Sequence, residues 1–228
     1  MKTKLIPLRA GIANVFLIFQ GRDILLVDTG SRNQEKRILE AITSRGFDQE
    51  HLKYIFLTHT HYDHAGNAAV LKEITGAKII VHESERDFLK DGFMRIPKGT
   101  NPLFKAISFL GRNLGLERKI GWYPPTVADI TFTQTFDLKP LGFDAEIIHS
   151  PGHTVGSSSL VVGNKVIVGD AMFNLGGKFY PGFANDEKIL VKSWKTFAEL
   201  EVSWYYPSHG KRIGKAQFLK EAGAKGIV

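Results

Sequence analysis

Four side chains able to hold a metal ion fall within six consecutive positions, His59-Thr60-His61-Tyr62-Asp63-His64. Imidazole nitrogen and carboxylate oxygen are the donors that borderline divalent cations prefer. The apolar run Tyr54-Ile55-Phe56-Leu57 precedes them and reads as a buried strand. On a strand that stops and turns, His59 and His61 share one face. Asp63 and His64, in the turn that follows, can then serve a second cation close by, the arrangement of a two-metal clamp. A lone histidine in a polar loop would be read as merely solvated, but four donors behind a buried strand weigh against that.

Two metals need about four donors each, with solvent filling gaps, and three more candidates lie further along. His153 sits in Ser150-Pro151-Gly152-His153-Thr154, after the strand-like Ala145-Glu146-Ile147-Ile148. Asp170 ends Val166-Ile167-Val168-Gly169, and His209 follows Trp204-Tyr205-Tyr206-Pro207-Ser208. Each stands just past an apolar run, where the end of a strand exposes a side chain.

Five segments in this order resemble the metallo-β-lactamase superfamily, a broad group of αββα hydrolases that includes glyoxalase II-like and lactonase-like enzymes. They are Val27-Asp28-Thr29-Gly30, the HxHxDH string at 59–64, Pro151-Gly152-His153-Thr154, Gly169-Asp170 and Ser208-His209-Gly210. The resemblance implies a four-layer αββα sandwich with His59, His61 and His153 on a first metal and Asp63, His64 and His209 on a second. Asp170 would bridge the two, and Asp28 would orient the HxHxDH turn from behind rather than act as a ligand. Read without the resemblance, Asp28 is a helix-start residue before the pattern Ile38, Leu39, Ile42. Zinc suits a nitrogen-rich set without thiolates, and iron or manganese fits nearly as well.

The chain of 228 residues has 43% hydrophobic content, enough for one sizeable core, so a single domain over 1–228 is expected. It has no cysteine, which excludes disulfides, thiolate ligands and cysteine nucleophiles. The formal charge of +7 admits an anionic partner, though a modest excess more often reflects general surface charge, and a nucleic-acid partner is disfavoured. Val15-Phe16-Leu17-Ile18-Phe19 is too short to span a membrane and lacks a cleavage pattern. No membrane partner and a cytoplasmic location are therefore expected, which counts against an exported antibiotic-degrading enzyme.

The positioning elements follow from periodicity. Strands are expected at Lys4–Leu8, Val15–Phe19 and Ile24–Val27, with a hairpin at Gln20-Gly21-Arg22-Asp23. A helix over Gln34–Arg45 stops at Gly46, another starts near Ala65 and ends at Gly76, and Lys78–Val81 returns as a strand. Gly66 and Asn67 are expected to matter for close packing and turn geometry. Short strands follow at about 129–136, 143–149, 157–162 and 165–169, then helices at Asp186–Leu200 and Gly214–Ala222. His82 ends a strand and is weighed for the edge of the site against a helix-start reading at Ser84. His51 and His149 are not expected as ligands.

Residues 92–128 are aromatic and basic. Leu103, Ile107, Leu110 and Leu114 recur at helical spacing, with Lys105, Ser108 and Arg112 opposite. This insertion either packs its apolar stripe onto the core or covers the metals and shapes a partly apolar pocket, with a homodimer contact as a further role. Residues 90–119 hold seven Lys or Arg against Asp91 and Glu117, which leaves five of the seven formal positive charges there and favours an anionic substrate if the segment covers the site.

The chemistry implied is hydrolysis of a carboxyl ester, thioester or lactone by a hydroxide held between two metals, with Asp63 orienting or relaying the proton. The chain ends soon after the last ligand, without the C-terminal helical domain of typical glyoxalase II enzymes, so a glutathione thioester is disfavoured. A phosphodiesterase or nuclease is the alternative, although Tyr62 stands where tRNA-processing relatives carry glycine. A mono-iron persulfide dioxygenase-like oxidoreductase is a further one, disfavoured by the full second ligand set, and a non-enzymatic binding protein is disfavoured by the same completeness.

Overall fold

The computed structural model describes residues 3–228. β1 (Lys4–Ala10), β2 (Ala13–Gln20) and β3 (Asp23–Val27) run antiparallel, and β2 and β3 are joined by the two-residue turn Gly21-Arg22. Gly21 takes φ +61°, the left-handed backbone that two-residue hairpin turns favour. β4 (Leu52–Phe56), β5 (Lys78–His82) and β6 (Ile130–Phe132) add in parallel, completing a six-stranded sheet in chain order. α1 (Glu35–Thr43) and α2 (Ala68–Thr75) form the crossovers on either side of β4. Between β5 and β6 lie α3 (Arg86–Asp91), α4 (Pro102–Asn113) and α5 (Leu116–Ile120).

The second sheet is also six-stranded and follows chain order: β7 (Thr135–Asp137), β8 (Glu146–His149), β9 (Ser158–Val162), β10 (Lys165–Asn174), β11 (Trp204–Gly210) and β12 (Ile213–Gly214). β10 and β11 pair in parallel across α6 (Glu187–Glu199), and α7 (Lys215–Ala224) follows β12.

Alternation along the strands builds the layers. Leu25 and Val27 of β3 join Phe16, Phe56 and Ile80 on one face and meet Ile147, Leu160 and Ile167 of the other sheet. Ile24 and Leu26 point the opposite way, into a cluster with Ile38 and Ile42 of α1 and Leu71 of α2. On the far side, Val166 and Tyr205 pack under Trp194 and Phe197 of α6 and Phe218 of α7. The order is helix, sheet, sheet, helix, as expected. Burial on both faces is why β2 to β4 read as nearly continuous apolar runs.

Two expectations are corrected, and one of the alternative readings of the insertion is excluded. Residues 129–136 are two three-residue strands in different sheets, because Thr133-Gln134 carries the chain across: Thr133 O accepts from His82 Nε2 at 3.0 Å and Gln134 O from His149 N at 3.1 Å. β10 does not end at Gly169. Gly169 has φ +54° and the pairing register shifts there, so the break in the apolar run is a bulge within a ten-residue strand. The stripe of α4 does not pack onto the core. Leu103, Leu110 and Leu114 are 65%, 52% and 66% exposed, while the buried positions of the helix are Ser108 and Gly111. Ser108 Oγ donates to Pro97 O at 2.8 Å and Arg112 Nε to Ile96 O at 3.1 Å, which fixes the polar face inward.

Candidate metal centre

Asp28 leaves β3 with φ +59°, a backbone region in which Asp is among the better-tolerated non-glycine residues. It lies seven residues before α1, whose N-cap is Gln34, so it does not start that helix. Its carboxylate accepts from Thr58 N at 2.8 Å and Thr58 Oγ1 at 2.9 Å, and Oδ2 is 2.9 Å from His64 Nδ1. Thr29 N and Oγ1 both donate to His64 O, at 2.6 and 2.7 Å. Asn67 Nδ2 reaches Thr29 O and Ser31 O, at 2.6 and 2.7 Å. A Cβ on Gly66 would lie 2.5 Å from Gly30 O, so only glycine lets the two loops approach this closely.

The structure brings the seven side chains His59, His61, Asp63, His64, His153, Asp170 and His209 together: four from the loop after β4, His153 from the loop after β8, and Asp170 and His209 from within β10 and β11, not past the ends of those strands as read from the sequence. Donor atoms of His59, His61 and His153 lie within 4.8 Å of one another, and so do those of Asp63, His64 and His209, and of His59, His64 and Asp170. His61 Nε2 donates to Arg95 O at 3.1 Å and His153 Nδ1 to Phe183 O at 3.0 Å. A carbonyl only accepts, so these contacts fix the tautomers and leave His61 Nδ1 and His153 Nε2 with inward lone pairs, 3.1 Å apart.

Asp170 stands between the trios. Its Oδ1 is 3.4 Å from both His64 Nε2 and His209 Nε2, and its Oδ2 is 3.5 Å from His153 Nε2. Asp63 Oδ2 is 3.4 Å from His209 Nε2, whose ring is held by Nδ1 donating to Ile12 O at 3.2 Å. His59 Nε2, His64 Nε2 and Asp170 Oδ1 are buried without hydrogen-bond partners. Each such orphan costs about 1–3 kcal/mol, and two nitrogens with a carboxylate oxygen, converging, are the donor set that a divalent cation fits.

Electrostatics divides the two halves. Burial, reinforced by neighbouring histidines, pushes His61 and His153 down to about 4 and His59 well below its ordinary value, so this trio is neutral with its lone pairs free. Burial also opposes protonation of His64 and His209, but the carboxylates outweigh it. Asp170, Asp28 and Asp63 hold His64 well above its usual range, and Asp170 with Asp63 lifts His209 to about 10. Asp170 is correspondingly held well below the carboxylate range, with burial overcome by His209 and His64. A cation bound in this half would take the place of protons.

Glu85 was not singled out by the sequence. It is fully buried and accepts from Thr60 N at 3.0 Å, Thr60 Oγ1 at 2.6 Å, Thr154 Oγ1 at 2.6 Å and Gly156 N at 3.2 Å. Thr60 separates His59 from His61 and Thr154 follows His153, so one carboxylate ties both loops that carry the neutral trio. The segment Glu83-Ser84-Glu85 gives no signal of this, since it reads as an exposed helix start.

The other histidines lie elsewhere. His82 stacks on His149 with ring centroids 4.1 Å apart, and its Nδ1 accepts from Ser84 N, so it has no place at the cluster. His51 closes a turn onto Asp48 and contacts Arg22. Two grooves lie close by, though none of the seven clustered side chains lines either. One of about 310 Å³ is lined by Tyr62, Arg32 and Trp122. The other, about 870 Å³, is lined by Arg95, Lys98, Lys105, Arg112 and Lys188, with Asp186 and Glu187. It adjoins the neutral trio through the Arg95 carbonyl on His61 and through Asn185 N, which donates to His153 O at 3.1 Å.

The chain resembles known proteins in sequence and in fold. A hydroxyacylglutathione hydrolase of Haemophilus influenzae is 27% identical over 202 residues, covering 86% of this chain and 84% of its own. A probable metallo-hydrolase of Methanocaldococcus jannaschii is 27% identical over 203 residues, covering 87% and 88%. Among solved structures, BLEG-1 B3 metallo-β-lactamase superposes with a TM-score of 0.72 at 19% identity, covering 96% of both chains. An archaeal superfamily protein of Sulfolobus tokodaii gives 0.68 at 22% identity, covering 96% and 85%. These two likenesses show the fold. The family profile described as the metallo-beta-lactamase superfamily matches residues 8–209, and the chain belongs to that superfamily of metal-dependent hydrolases.

Proposed function

We propose that the seven clustered side chains hold two divalent cations, zinc in the first instance, and that the enzyme hydrolyses a carboxyl ester, thioester or lactone of a small anionic molecule. The observation that carries the two-metal reading is the position of Asp170, whose two oxygens face different ligand trios at 3.4 and 3.5 Å. When bound, the cations would activate water and polarise the substrate carbonyl. The neutral trio of His59, His61 and His153 is ready to ligate, and His64 and His209 exchange protons for the second cation. Asp63 lies beside His209 at the less buried side of the cluster and is assigned to orient the attacking water and carry its proton. Asp28 holds His64 in register from behind.

Five cationic side chains against two acids in the larger groove support an anionic group on the substrate. Relatives named hydroxyacylglutathione hydrolases favour a thioester within the class. One of them matches over 84% of its own length, so the argument from chain length against a glutathione thioester carries no weight.

The test is initial hydrolysis rates of zinc- or manganese-loaded protein on a lactone and thioester panel against a generic phosphodiester, with Asp170→Ala as the blank. Preference for the carbonyl compounds, abolished in the variant, is expected. Preference for the phosphodiester overturns the substrate class, and oxygen consumption by a singly iron-loaded protein overturns the hydrolase reading.

A further inference from the structure

The pocket of about 310 Å³ lies between the loop that follows β3, which contributes Arg32, and the end of the insertion, which contributes Ile120 and Trp122. Tyr62 also lines it, and in the chain Tyr62 stands between His61 of one ligand trio and Asp63 of another, so the pocket begins one residue from a ligand of each. Both walls are fixed. Asn67 grips the loop on either side of Arg32, its Nδ2 donating to Ser31 O at 2.7 Å and its Oδ1 accepting from Gln34 N at 3.0 Å. Trp122 forms a β-bridge with Phe93, and the next residue, Tyr123, is buried with its hydroxyl donating to Phe88 O at 2.9 Å. The Arg32 guanidinium lies over the Trp122 ring, 4.2 Å from its centroid.

That stack orients the guanidinium but satisfies none of its N–H donors. Among the described residues, the Lys and Arg side chains that pair with acids are Lys72, Arg86, Arg95 and Lys139; Arg32 is in none of these pairs and its side chain donates no hydrogen bond. A planar fork, half-buried against an indole and bordering a small cavity, matches a carboxylate, which it takes through two parallel N–H···O bonds. Arg32 is the one cation of the lining, so one negative charge is matched, and the surfaces of Tyr62, Ile120 and Trp122 suit a short methylene chain. We propose that Arg32, oriented by Trp122, binds a carboxylate on the acyl side of the substrate, so that the preferred substrates are half-esters and half-thioesters of short dicarboxylic acids. This rests on the hydrolase reading above and names its substrate class. The larger groove, about 870 Å³ and sharing no lining residue with this pocket, has room for a bulkier leaving group. Water adds to the acyl carbon, its bond to oxygen or sulfur breaks, and the dicarboxylate and an alcohol or thiol depart, with no other reactant required.

The test pairs the mono-methyl thioesters of succinic, glutaric and adipic acid with the methyl thioesters of butanoic, pentanoic and hexanoic acid, matched in chain length, on zinc-loaded protein with the Asp170→Ala rate subtracted. The readout is the ratio of kcat/KM within each pair, and the series reads the spacer length. The carboxylated member is expected to lead by about 10- to 100-fold at one length, the range for a hydrogen bond to a charged group. That lead should vanish in Arg32→Gln and shrink in Arg32→Lys, which keeps the charge but not the fork. Arg37→Gln, the same change at an exposed position of α1, should leave the ratio as in the wild type. Calorimetric binding of the three dicarboxylates to zinc-loaded protein should weaken by the same factor in Arg32→Gln. Ratios near one at every length, a lead that survives Arg32→Gln, or dicarboxylate affinities indifferent to that change overturn the proposal. Equal loss of both thioesters with a lowered thermal midpoint would reduce the Arg32 and Trp122 stack to a clasp between loop and insertion, which overturns it as well. Dicarboxylate binding that depends on Arg32 in a protein that cleaves no thioester upholds the pocket and counts against the hydrolase reading instead.

Discussion

Thr60 Oγ1 lies 2.6 Å from Glu85 Oε2, and through this contact a residue on the far side of β5 fixes the short arc between His59 and His61. Glu85 Oε1 does the same for the loop after His153 by way of Thr154. Asp28 is its counterpart behind His64, so each half of the cluster rests on its own buried carboxylate.

Replacing these carboxylates should empty the two halves separately. In Glu85→Gln one oxygen becomes an amide NH2, which accepts from neither the hydroxyl nor the backbone N–H that the oxygen served, so the neutral trio loses its spacing. Affinity for the first metal should fall about 10- to 100-fold, the range for loss of groups that orient ligands. Asp28→Asn preserves a side chain suited to φ +59° and should weaken the second metal by a similar factor. Metal content and competition with a chelator distinguish the two patterns; a uniform loss in both variants would reject the division.

Metal uptake should respond to pH in one half only. His61 and His153 hold their protons only below about 4, so binding at their trio releases none and should be flat from pH 6 to 9. His209, at about 10 in the metal-free protein, is protonated throughout that range. A cation must displace that proton, so affinity at the second site rises with pH by about tenfold per unit for each proton released. Calorimetry in buffers of different ionisation enthalpy counts the protons, and two equally pH-independent events would contradict the assignment.

The candidate ligand string was legible because its residues are neighbours in sequence and stand after an apolar run whose burial shows in its composition. The same holds for Leu25 and Val27, whose alternation with Ile24 and Leu26 already implies a strand covered on both faces. Glu85 was hidden because its burial is decided by Thr154 and Gly156, some seventy residues away, and nothing local marks it. The stripe on α4 was visible but not its direction, which depends on two carbonyls at Ile96 and Pro97 that periodicity does not report. The carbonyls of Arg95 and Phe183, which fix two tautomers, are backbone groups and leave no trace in residue types.

Gly152 precedes His153 with φ +131°, and a Cβ there would lie 2.5 Å from the backbone of Leu190 in α6. Gly152→Ala combines backbone strain with a clash against a packed helix, together about 2–5 kcal/mol. Gly163 has φ +54° but open space around it, so Gly163→Ala should cost only about 1 kcal/mol. Thermal unfolding is expected to show a loss of roughly 5–15 °C for the first and a few degrees for the second. Similar midpoints would mean that α6 yields and that Gly152 does not set the position of His153.

Asp63 faces His209 at 3.4 Å and His64 at 4.0 Å, so its carboxylate can ligate a cation and still meet a water on the open side of the cluster. Asp63→Asn keeps an oxygen ligand and removes the proton acceptor. Turnover should then fall by about 10²- to 10⁴-fold, the range for loss of a positioned acid or base, with KM little changed, since the substrate contacts proposed for the basic groove would be untouched. The comparison requires equal metal content in both proteins, measured before the assay. A fully loaded Asp63→Asn with normal turnover would reduce Asp63 to a ligand and leave the proton to solvent; a matched fall in metal content and rate would assign the effect to coordination instead.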